Sequence, residues 1–148
     1  MKKIIHAVLK TAQDYKPLIP RIIVGWVFLS EGIQKYILPE LVGAGRFEKI
    51  GFANPEFLAY FVGTFEIICG LLLLLGLLTK IATIPLIIIM FTALITTKLP
   101  VLLDKGFWVM AHESRTDFSM TLLLLLLLIY GAGRFSFDHF FYKKLDKR

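Results

Sequence analysis

A single cysteine, Cys69, and three histidines are all this chain offers in soft metal ligands and redox sulfur. From so few, no disulfide framework, Cys-x-x-Cys redox pair or Cys/His zinc cluster can be built within one chain. No haem, flavin, iron–sulfur or zinc motif is present either, so no metal site is expected. Charge is also scarce: Asp, Glu, Lys and Arg make up 19% of the residues, against about 25% in ordinary soluble domains. The glycine-rich stretches GAGRFE (43–48) and GAGRFS (131–136) lack the third glycine and the preceding strand that a dinucleotide site needs, which removes nucleotide phosphate binding. No A-x-A-like cleavage site follows an early apolar core, so the first apolar segment is expected to be retained.

What the chain has in abundance is apolar sequence. It is 57% hydrophobic over 148 residues, with mean hydropathy +0.73. A soluble domain runs at about 45–50%. The net charge of +6 does not form a basic stripe interleaved with stacking aromatics, so nucleic acid is not an expected partner. The basic residues gather at the two ends, as Lys2, Lys3, Lys10 and Lys16, and as Lys143, Lys144, Lys147 and Arg148, in the manner of cytoplasmic flanks.

The run 57–78, FLAYFVGTFEIICGLLLLLGLL, is long enough at 1.5 Å per residue to cross a hydrocarbon core of about 30 Å. Glu66 stands in its middle. A charge at that depth costs roughly 2.5–3.5 kcal/mol, so the carboxyl must be protonated, partnered or facing a wet cavity. Gly63, Glu66 and Gly70 recur on one face, which turns Glu66 toward other helices. Cys69 reads as a small packing residue.

Three further spans are expected, at about 18–38, 81–97 and 118–133, giving an all-α integral membrane protein, a bundle of four transmembrane helices in one domain. Residues 1–16 read as a basic amphipathic segment in the headgroup layer and 134–148 as a basic aromatic tail. Segments 39–54 and 98–116 read as loops with interfacial pieces. Asn54 is expected to cap the second span and Thr79 the third, with Pro85 near the third span's first turn. Thr92, Thr96 and Thr97 read as helix–helix contacts. Four spans put both termini on one side. That side carries eleven basic residues against six on the other, predicting N-in and C-in topology in the cytoplasmic (inner) membrane.

This topology places Glu31, Lys35, Arg115 and Asp117 at the outer ends of their spans, above Glu66 near the midplane. Glu31 and Lys35 are spaced i, i+4, the favourable order for a helical ion pair. Arg21 is nearer the inner end, where it would anchor at phosphates or reach inward to a carboxylate.

Three stretches together resemble the DoxX family of small four-helix membrane proteins: RIIVGWVFLSEGIQK (21–35), EIICG (66–70) leading to GLLTK (76–80), and GAGRFSFD (131–138). The family takes its name from a subunit of an archaeal thiosulfate:quinone oxidoreductase. The resemblance implies the four-helix fold and a role as a membrane oxidoreductase component. The longer 98–116 connection and Asp117 depart from what it carries over.

Two functions follow as expectations. One is a redox-complex subunit binding quinone in the outer half of the bundle. Glu66 and Asp117 would be its proton donors and acceptors, Lys35, Arg115, Glu31 and Arg21 its polar network, and Phe28, Tyr60 and Phe61 its ring walls, with electrons arriving from another protein subunit. The other is a non-catalytic assembly subunit whose buried charges fix helix packing. A small transporter is a weaker third reading, since no broken-helix repeat is evident.

Overall fold

The computed structural model describes residues 8–12 and 14–146. Residues 1–7 and 13 of the amphipathic segment expected at 1–16, and the last two residues of the tail, lie outside the described residues. The described chain is all helical, with no strand among the described residues: α1 (Leu18–Ile37), α2 (Pro39–Val42), α3 (Ala44–Ile50), α4 (Pro55–Leu75), α5 (Thr79–Ala93), a π-turn (Leu94–Lys98), α6 (Leu99–Lys105), α7 (Phe107–Glu113), α8 (Arg115–Tyr130) and α9 (Phe137–Asp146).

The long helices α1, α4, α5 and α8 close a ring of neighbours, α1 on α4, α4 on α5, α5 on α8 and α8 on α1. Their shared core is drawn at three- and four-residue spacing from each: Val24 and Phe28, Cys69 and Leu73, Ala82, Leu86 and Met90, Met120, Leu124 and Leu127. The opposite faces are apolar and exposed, as at Ile19, Trp26, Phe61, Ile88, Phe91, Leu122 and Ile129. Two continuous helices, Pro55–Leu75 and Thr79–Lys105, are long and apolar enough to cross a membrane. Only 33% and 11% of their most apolar windows are buried, which is unlike the core helix of a soluble protein and fits helices that face lipid.

The segments read as loops are largely helical. Residues 39–50 form α2 and α3, and 98–116 form the end of the π-turn, α6, α7 and the start of α8, which therefore begins before Phe118. The third helix runs past residue 97 because Pro100 ends no helix here. The π-turn precedes it and absorbs the missing N–H. Thr92, Thr96 and Thr97 each donate to the carbonyl four residues back on their own helix, at 2.9, 2.8 and 2.6 Å, rather than to another helix. Pro85 lies in the second turn of α5, not the first.

The helix starts also differ from expectation. Asn54 occupies the N-cap position of α4 but its side chain makes no capping bond. Thr79 does not cap α5: the Asp138 carboxylate, from the start of α9, accepts the Leu78 and Thr79 N–H groups at 2.7 and 2.9 Å. Gly76, with φ 66°, ends α4 in the left-handed conformation and Leu78 follows at φ 49°, so a three-residue link, 76–78, reverses the chain.

At the same end of the bundle, Ala12 N–H donates to the Tyr130 carbonyl at 2.8 Å, and Gly133 N–H to the Thr11 hydroxyl at 2.5 Å. The N-terminal segment, the α4–α5 turn and the tail thus interlock at one end. Helices α2, α3, α6 and α7 sit at the other.

Candidate functional site

Helices α1 and α4 run antiparallel along a seam of small residues. A Cβ at Gly32 would lie 2.7 Å from the Gly63 carbonyl oxygen, and one at Gly70 would lie 2.7 Å from the Leu29 nitrogen. Those are backbone atoms and cannot swing aside, so only glycine permits this approach. Glu66 sits between Gly63 and Gly70 on the face so closed and is 4% exposed.

Its partner is Lys35, with Nζ 2.6 Å from Glu66 Oε2. The geometry follows from chain direction. Side chains on a helix lean toward its N-terminus. On α1 that carries Lys35, near the C-terminal end, inward; on α4 it carries Glu66 outward toward Lys35. The two lean into each other. Glu31, one turn before Lys35, places Oε2 4.0 Å from the same Nζ and is nearly half exposed, so a chain of charges leads from the surface to Glu66. The short helix α3 covers this end: a Cβ at Gly43, just before it, would meet the Lys35 carbonyl oxygen at 2.6 Å, and the field of Arg46 on α3 reaches Glu66.

Beside the pair, the Tyr36 hydroxyl lies 2.6 Å from the Thr64 hydroxyl and donates to the Tyr60 carbonyl at 3.1 Å, with the Tyr36 and Tyr60 rings 5.1 Å apart. Phe28 is buried two turns below Lys35 on the same face of α1. Lys35, Glu66 and Glu31 make one neighbourhood, while Phe28 belongs to the apolar core below it and the Tyr60 ring is exposed against Tyr36.

Other residues named from the sequence lie elsewhere. Phe61 is half exposed in a ladder with Phe57 and Phe65, at 5.8 and 5.0 Å, on the outward side of α4, so it does not wall the pair. Arg21 is 14 residues from Lys35, about 21 Å along α1. It is buried in the opposite end, donating to the Ala132 carbonyl at 2.8 Å and attracted by Asp138. Arg115 is exposed and lies 2.7 Å from His112 Nε2. Asp117 pairs with Lys98 of the π-turn at 3.3 Å, and no ion pair among the described residues joins that couple to Glu66.

Sequence reasoning missed Lys98 as the partner of Asp117, Tyr36 and Thr64 beside the pair, and Asp138 as a cap. The last had a signal: the link GLLTK supplies no good N-cap side chain at Leu78, so the N–H groups opening α5 needed an acceptor from outside.

The DoxX family profile matches residues 17–99, more than half of the chain and inclusive of Lys35 and Glu66. An uncharacterized membrane protein of Mycobacterium tuberculosis is 50% identical over 134 residues, covering 86% of this chain and 80% of the relative. No solved structure gives a significant match. The chain belongs to the DoxX family and is a membrane protein.

Proposed function

Starting from membership of that family, we propose that the chain is the membrane subunit of a redox complex and holds a quinone headgroup in the outer half of a four-span bundle, at Lys35 and Glu66. The single observation that carries this reading is the buried ion pair at 2.6 Å, with Glu31 leading from it to the surface. The four-span arrangement with both termini cytoplasmic is supported by the exposed apolar faces of all four long helices and by the excess of Lys and Arg at the termini end.

The donor set suits a quinone carbonyl. An ammonium has three N–H donors; Glu66 Oε2 faces it at 2.6 Å while Glu31, at 4.0 Å, lies beyond hydrogen-bond reach, so donors remain for a ligand oxygen. Lys35 holds and orients the headgroup. Glu66, on the far side of Lys35 from Glu31, holds a proton or accepts one, and Glu31 connects it with water at the surface. Phe28, buried two turns below Lys35, offers an apolar floor, and the exposed Tyr60 ring lies on the outer side. The quinone, when bound, supplies the two-electron chemistry, and the electrons reach it from a partner subunit.

A second reading has its own support in the glycine seam: a pair locked between two helices in backbone contact fixes their register. Solvent extraction of the gently purified protein followed by mass spectrometry separates the two. The redox reading expects quinone near stoichiometry, lost in Lys35→Met. If none co-purifies, and Glu66→Gln leaves partner association and quinone-linked electron transfer unchanged, that reading fails. If the substitution instead dissolves the complex with no quinone ever bound, the pair is a register device.

A further inference from the structure

At the termini end of the bundle, remote from Lys35 and Glu66, a cleft of about 900 Å³ lies between the end of α4 and the α8–α9 connection. Its polar lining is one-signed. Arg134, Lys143 and Lys144 contribute cations, and no acidic residue lines it. The nearby Asp138 is turned away, its two oxygens occupied by the start of α5. Among the described residues Lys143 and Lys144 form no ion pair, and Arg134 has only the Tyr15 ring beneath it, at 5.4 Å.

The floor holds a second, independent feature. His139 is only 6% exposed, lines the cleft, and has no hydrogen-bond partner at either ring nitrogen. Its own backbone N–H is satisfied by the Ser136 hydroxyl at 3.1 Å, so the helix start is capped and only the ring lacks a partner. Burial first, and then the nearby charges of Lys143 and Arg134, push the imidazole below its ordinary value.

We propose that this cleft binds the phosphate headgroup of an anionic phospholipid. An anion supplies what the site lacks, both the countercharge for Arg134, Lys143 and Lys144 and an acceptor for the His139 ring. The lipid source is favoured over free phosphate by the rest of the lining. Leu75 and Phe140 are apolar and exposed, and Leu75 continues the outward apolar face of α4 through Leu71. A headgroup seated on the cations would leave its acyl chains lying along α4.

The test uses the full-length protein in a mild non-ionic detergent, with native mass spectrometry of bound phosphatidylglycerol against phosphatidylcholine of the same acyl chains. The expected result is a preference for phosphatidylglycerol that falls about fivefold in Lys144→Gln and about fivefold in Arg134→Gln. His139→Phe, which changes no fixed charge, weakens it as well. Lys80→Gln, an equal charge change outside the cleft lining, leaves it intact. Millimolar inorganic phosphate should not displace the lipid. No preference for phosphatidylglycerol, or the same loss in Lys80→Gln as in Lys144→Gln, overturns the site in favour of a diffuse basic surface. Displacement by inorganic phosphate overturns the lipid assignment.

Discussion

Breaking the Lys35–Glu66 pair one partner at a time should cost far more than removing it whole. At 2.6 Å two unit charges attract by about 6 kcal/mol at an effective dielectric near 20, and much of that is offset by the cost of taking both out of water. Lys35→Met therefore leaves Glu66 buried against glycine backbone and apolar side chains with its closest cation gone, and Glu66→Leu does the same to Lys35. Each single change is expected to cost about 3–5 kcal/mol, the range for stranding one member of a buried pair. The double variant Lys35→Met/Glu66→Leu strands nothing and should cost under about 2 kcal/mol, a coupling of at least about 4 kcal/mol. Titration of dodecylmaltoside-solubilised protein with SDS, followed by far-ultraviolet circular dichroism, gives the four stabilities. Losses that add to within about 0.5 kcal/mol would refute the pairing, because residues acting independently give additive effects.

Other consequences are as specific. Gly70→Ala drives a Cβ to 2.7 Å from the Leu29 nitrogen, so it should destabilise by roughly 1–3 kcal/mol in the same titration, although it removes no charge. Asp138→Ala strips the side-chain acceptor from the start of α5, the only one among the described residues, while Leu78 stays left-handed. A loss of about 1–2 kcal/mol is expected, with faster hydrogen exchange at Leu78 and Thr79. The His139 imidazole is held below its ordinary 6.5 by burial, then by Lys143 and Arg134, so the unfolded chain takes up the proton first as pH falls. Stability present above that ordinary value is then lost as pH drops toward the folded one. His139→Phe should flatten that part of a stability profile measured in phosphatidylcholine alone.

The inward face of Glu66 was legible in the sequence because Gly63 and Gly70 flank it at helical spacing, and small residues in an apolar helix mark a close neighbour. Glu31 and Lys35 were legible as a pair from their i, i+4 spacing, but that pattern pointed to the weaker contact. Lys35 lies closer to Glu66, 31 residues away, and only the antiparallel register of α1 and α4 decides this. Phe61 was misplaced for the reverse reason: an aromatic five residues from Glu66 looked close in sequence, yet it lies about 140° away around the helix. The 98–116 segment, expected as a connection with an interfacial piece, is helical although it contains two breakers, Pro100 and Gly106. The π-turn accommodated the first, and the second only divides α6 from α7. Asp138 could not be reached by local reading, since the amides it caps are 59 and 60 residues away.

The headgroup site at Lys35 and Glu66 is tested most directly by photolabelling native membranes with a photoreactive quinone analogue, followed by peptide mapping. Label is expected on the Lys35 end of α1 and the facing turns of α4, around residues 31–36 and 60–66, reduced by excess unlabelled quinone and absent in Lys35→Met. Label spread along the exposed apolar faces and unaffected by competitor, or the same pattern in Lys35→Met, would contradict that site.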